Sequence, residues 1–69
     1  MNSNQALYRS IKIALSLRGL TYNDLAEKIA YRRSTIARFM SALKAGKSGS
    51  RFVRKAIFEY LGGKIVEEV

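Results

Sequence analysis

Apolar residues recur at helical spacing in four stretches of this chain. Between Asn4 and Arg18 the stripe is Leu7, Ile11, Ala14, Leu15 and Arg18, with Ile13 and Leu17 widening it. Ser3 or Asn4 is placed to cap the start of this helix, and Gly19 to end it in the left-handed conformation. Thr21 opens the next stretch as an N-cap, with Asp24 three residues on at the spacing of a capping box. Its stripe is Leu25, Ala26 and Ile29, and it stops near Ala30. After a short interval, Ala30 to Arg32, the positions Ile36, Phe39, Met40 and Leu43 mark a third helix. Lys44 to Ser50 holds two Gly, two Ser and two Lys and reads as a loop. Ser50 can cap a last helix with Val53, Ala56, Ile57, Tyr60 and Leu61 inward and Phe52 at the margin; Gly62-Gly63 ends it. The tail from Lys64 to Val69 fits a strand, a frayed end or a dimer contact.

This pattern predicts an all-α, compact four- or five-helix domain over residues 1–63, followed by the short tail 64–69. No Pro interrupts the helices, and no internal repeat is visible. With 69 residues, 48% of them hydrophobic, the chain has material for one small core. Such a core is marginal, which favours dimerisation or a bound partner. No apolar run approaches the roughly 18 residues of a membrane span. Met1 to Gln5 is polar and unlike a secretory signal, so a cytoplasmic location and no membrane association are expected.

The absence of Cys and His removes disulfides, zinc-finger sites, thiol nucleophiles and histidine-dependent triads. Asp24 and Glu27 are the one close carboxylate pair in the body of the chain. They lie near a helix N-terminus, where acids are favoured electrostatically. No enzyme activity, no cofactor and no metal are expected.

Charge changes the picture more. The formal net charge is +8. Between residues 28 and 58 stand Lys28, Arg32, Arg33, Arg38, Lys44, Lys47, Arg51, Arg54 and Lys55, with no acid. The rest of the chain carries four basic and five acidic residues. Solvated faces usually mix both signs, so one basic segment of this length points to an anionic partner.

The segment Leu20-Thr21-Tyr22-Asn23-Asp24-Leu25-Ala26-Glu27-Lys28-Ile29-Ala30, continued by Tyr31-Arg32-Arg33-Ser34-Thr35-Ile36-Ala37-Arg38-Phe39-Met40, resembles the helix-turn-helix of the Cro/CI-type (XRE) family of phage and bacterial regulators. The shared features are the N-cap, Leu-Ala in the first motif helix, an apolar residue before the turn, and Ser-Thr-Ile with an apolar follower in the second. The likeness covers roughly residues 6 to 62, with the motif at about 21–40, and implies a lambda-repressor-like DNA-binding fold. Three positions depart from the family pattern. Ala30 stands at a turn usually made by Gly, Tyr22 where Gln is frequent, and Arg32 where a small polar cap is usual. Ala30 costs on the order of 1 kcal/mol if the left-handed turn is kept, or else the turn has another shape.

The resemblance implies that Arg33, Ser34 and Arg38 face base edges in the major groove, where Arg is the commonest reader of guanine. Arg32 reaches a base or a phosphate, and Thr35 touches a thymine methyl or only fills the helix. Lys44, Lys47, Ser48 and Arg51 are the phosphate candidates around the glycine loop, whose backbone N–H groups would also approach phosphates. Tyr22 either donates to a phosphate or packs. Lys28, Arg54 and Lys55 are weaker candidates. Tyr8, Phe52, Phe58 and Tyr60 are read as core or subunit contacts.

Two functions follow. The first is a sequence-specific transcriptional regulator resembling a phage Cro-like repressor, paired as a homodimer on a palindromic double-stranded DNA operator. The second is an antirepressor that forms a heteromeric complex with a related repressor protein. An excisionase-like role is a smaller third. RNA binding ranks lowest, since the aromatics do not form an evident stacking platform.

Overall fold

The computed structural model describes residues 2–62. They form four helices and, among the described residues, no strand: α1 (Ser3–Arg18), α2 (Tyr22–Ile29), α3 (Arg33–Lys44) and α4 (Arg51–Leu61). Gly63 and the tail 64–69, with its expected strand, frayed end or dimer contact, lie outside the described residues.

Each helix begins and ends for a local reason. Asn2, rather than Ser3 or Asn4, caps α1: its side chain accepts from the Gln5 N–H at 2.9 Å, while the Gln5 amide accepts from the Asn2 N–H at 3.0 Å. The polar run 2–5 holds several residues able to cap, and only Asn2 has a residue three positions on that can complete the reciprocal pair. Gly19 ends α1 at φ 68, as its sequence position indicates. Thr21 and Asp24 form the capping box of α2, at 3.1 and 3.0 Å. Ser50 caps α4 through the Val53 N–H. Arg32 occupies the cap of α3 with no side-chain cap bond.

Thirteen apolar residues make the core, and among the described residues no polar side chain is buried. Leu7, Ile11, Ala14 and Leu15 come from α1; Leu25 and Ala26 from α2; Ile36, Phe39, Met40 and Leu43 from α3; Val53, Ile57 and Leu61 from α4. The small Ala26 is 2% exposed where α2 packs on α3, which lets the two helices approach closely.

One expectation fails here. Ile13 and Leu17 do not widen the inward stripe of α1; they are 59% and 83% exposed. At 100° per residue both fall to one side of the stripe centred on Leu7, Ile11, Ala14 and Leu15, by about 100° or more, which turns them outward. Of the two roles expected for Phe52, core or subunit contact, its 68% exposure at the first turn of α4 excludes the core. Among the described residues no helix is long and apolar enough to cross a membrane.

Candidate nucleic-acid interface

The basic segment runs from the end of α2, which carries Lys28, through α3 and the loop 45–50 into α4. Eight of its nine cations are exposed, and Arg54 is half-buried. Arg33, Ser34 and Arg38 are exposed on α3, with Arg32 just before it; Thr35 is half-buried. Ile36, Phe39, Met40 and Leu43 hold the opposite face of α3 in the core. That burial fixes the direction in which 34 and 38 project, since i and i+4 share a helix face. Lys44 is the last residue of α3 rather than part of the loop.

The angle between α2 and α3 is set by a turn at Ala30. This residue has φ 62 and ψ 39, a left-handed conformation, and its N–H donates to the Ala26 carbonyl. It is the one non-glycine residue with positive φ among the described residues. Left-handed backbone costs an L-residue roughly 1–2 kcal/mol. The turn is held by packing on both sides of it and by the Tyr31 N–H, which donates to the Ala26 carbonyl at 2.9 Å.

A shallow groove of about 580 Å³ lies between α1 and the starts of α2 and α3. Lys12 and Arg33 bring positive charge into it, with Tyr22 and Asn23 on its wall. Lys12 Nζ stands 5.1 Å from the centre of the Tyr22 ring. Tyr22 is half-buried and packs against the core. Burial raises its phenol above the usual value of 10.0, against a lowering influence from Lys12, so it remains a neutral hydroxyl donor at physiological pH. Lys12 is a cation of this groove that the sequence reading passed over. It lies outside the basic segment, and nothing in its own helix periodicity distinguishes it.

The loop 45–50 is tied down from within and from α1. The Gly46 and Lys47 N–H groups donate to the Leu43 and Ala42 carbonyls at 2.9 and 2.8 Å. Those two amides are therefore committed and do not point at a phosphate, contrary to expectation. From α1, Asn2 Nδ2 and Asn4 Nδ2 donate to the Gly46 carbonyl at 3.0 and 3.3 Å, and Gln5 Nε2 to the Lys44 carbonyl at 3.2 Å. Arg54 Nη2 donates to Asn4 Oδ1 at 2.8 Å and to the Ser48 carbonyl at 3.3 Å. Arg54 is thus a strut of the loop. The side chains of Lys47, Ser48 and Arg51 remain exposed on this rigid support. Arg18, at the far end of α1, plays a comparable part at the end of α4. Its Nη2 donates to the Leu61 carbonyl at 3.1 Å, and its guanidinium lies 5.8 Å from the Tyr60 ring centre.

The arrangement presents cations and hydroxyls on one helix face, a hydrogen-bonded loop and one adjoining groove, groups whose chemistry suits contact with an anion. No family model matches the chain, and no curated protein or solved structure matches it.

Proposed function

We propose that this chain is a sequence-specific regulator that binds duplex DNA, with α2, the turn at Ala30 and α3 acting as a helix-turn-helix. In this reading α3 enters the major groove. Arg33, Ser34 and Arg38 meet base edges, with Arg32 and Thr35 at the margin. Lys44, Lys47, Ser48 and Arg51 hold one flanking phosphate strand, and Lys12 and Tyr22 lie along the other. A cytoplasmic homodimer on a palindromic operator is the assembly proposed. One observation carries the reading: Arg33, Ser34 and Arg38 stand exposed on a helix whose other face is wholly in the core. Groove readout needs side chains that are both exposed and fixed in direction.

The test is fluorescence anisotropy with the DNA upstream of its own gene and with a scrambled duplex, across a salt series. Preference for the upstream DNA near physiological salt supports the reading. Equal, weak binding that vanishes with salt leaves only non-specific attraction and overturns it.

A second reading is favoured by the exposed pair Ile13 and Leu17 on α1, an apolar strip outside the basic segment. There the chain is an antirepressor that seats this strip on a related repressor. A mixing experiment with that repressor, followed by sedimentation, decides it. Absence of a heteromeric species removes the reading.

A further inference from the structure

Tyr31 and Phe52 are remote in sequence, yet the fold brings both to one groove. The groove, of about 460 Å³, lies between α3 and the start of α4. Its floor is mainly apolar, with Phe39 and Val53, and Thr35 and Arg38 stand at its edge. Phe39 and Val53 are 3% and 2% exposed, so the floor belongs to the core and is rigid. Gly49 permits this shape. Its φ is +66, and a Cβ there would lie 2.8 Å from the Phe39 ring. Phe52 projects from the rim, and the Arg51 guanidinium lies 5.6 Å from its ring centre.

An exposed aromatic ring over an apolar floor asks for a flat apolar ligand. The charged groups at this groove are Arg38 and Arg51, and no acid occurs between residues 28 and 58. A second copy of the chain would bring the same cations and an overall +8 against them. An unpaired nucleotide offers the complementary pair of features: a base with two π faces and an attached phosphate. We propose that this groove binds an unpaired nucleobase of single-stranded nucleic acid, stacked on Phe52 and Tyr31 with its phosphate on Arg38 or Arg51. The groove shares Arg38 and Thr35 with the base-reading face of α3, but its stacking surface, Tyr31 and Phe52, has no part in the duplex contacts. It goes beyond the duplex reading, and the two can fail separately.

The experiment uses the full chain and labelled strands of about ten nucleotides: oligothymidylate, oligouridylate, an abasic strand of equal charge, and a blunt duplex. Anisotropy is read near physiological salt. The parent binds oligothymidylate at least tenfold more tightly than the abasic strand, because only the former offers rings to stack on. Phe52→Ala removes roughly tenfold of that affinity and leaves duplex binding unchanged, while Phe52→Tyr keeps it. Phe52 is exposed, so neither variant disturbs the core. Oligouridylate binding as tightly as oligothymidylate assigns the site to unpaired bases of either sugar; a preference for one names the source. Equal binding of the abasic strand and oligothymidylate overturns the proposal, whatever the duplex does. So does a Phe52→Ala effect confined to self-association in sedimentation, or to the capture of a repressor, which gives the groove to a protein. Oligothymidylate bound with no duplex bound would keep this site and remove the duplex reading.

Discussion

Arg54 of α4 donates to the side chain of Asn4 of α1 at 2.8 Å, joining the starts of two helices fifty residues apart. The same guanidinium holds the Ser48 carbonyl, so one side chain fixes the loop from two directions. A hydrogen bond to a charged group contributes about 1.5–3 kcal/mol, and partial exposure brings this pair to the lower end. Asn4→Ala is expected to cost about 1.5 kcal/mol, a fall in Tm of roughly 6–12 °C for a domain of this size. Arg54→Ala should lower Tm at least as much. An Arg54→Ala variant that keeps the parental melting curve and loses only DNA affinity would show a phosphate contact instead of a strut.

Ala30 offers a test of opposite sign. Replacing it by Gly relieves a left-handed cost of roughly 1–2 kcal/mol. The more flexible unfolded chain takes back about 0.4–1 kcal/mol. The net expectation for Ala30→Gly is a gain of about 1 kcal/mol or less, read as a higher urea midpoint with an unchanged slope. Gly19 is the counterpart: φ is +68 and nothing lies within 4 Å of a Cβ there. Gly19→Ala therefore carries the backbone cost without a clash and should lower the midpoint. A higher midpoint for Gly19→Ala would contradict the left-handed conformation described at Gly19, and a lower one for Ala30→Gly that described at Ala30.

Asp24 predicts an acid dependence. Its carboxylate accepts the Thr21 N–H at 3.0 Å, and this bond holds its pKa below the ordinary 3.8. The ionised form is the one the fold favours. Its contribution is complete above the unfolded value and is lost as pH falls through the lower folded one. Stability followed from pH 6 down to about pH 2 should decline more gently in Asp24→Asn than in the parent. Parallel curves would remove Asp24 from the acid limb.

Two substitutions separate readout from attraction in the DNA reading. Arg38→Ala should cost about 1–3 kcal/mol of preference for the operator over a scrambled duplex. Lys47→Ala should weaken both duplexes alike and reduce the salt slope by about one unit. Parental binding by both variants would remove α3 and the loop from the interface.

The helices were legible in the sequence because burial imposes a period, and Leu7, Ile11, Leu25, Ile36, Met40 and Ile57 all keep it. Caps such as Thr21, Ser50 and Gly19 were legible because one residue type meets one backbone need. Ile13 and Leu17 misled because apolar character does not by itself say which side of a helix faces a neighbour. The tethers from Asn2, Asn4 and Gln5 to the loop left no trace, since polar contacts between distant segments have no period. Of the candidate site, the exposed α3 residues could be read from the phase of the helix. The grouping of Lys12 with Arg33, and of Tyr31 with Phe52, required the fold.

The bonds from Asn2 and Asn4 to the Gly46 carbonyl have a thermodynamic consequence for the loop. A surface loop normally opens on its own, at little free energy and independently of the core. Here hydrogen bonds tie the loop to the first turn of α1, so the two are expected to open together, with the loop amides exchanging their protons as that unit opens rather than singly. The ordering entropy of the segment bearing Lys47 is then spent during folding, before any ligand arrives. Substitutions among residues 2–5 would alter affinity without touching a ligand, and a tag fused at the N-terminus would act on the same unit.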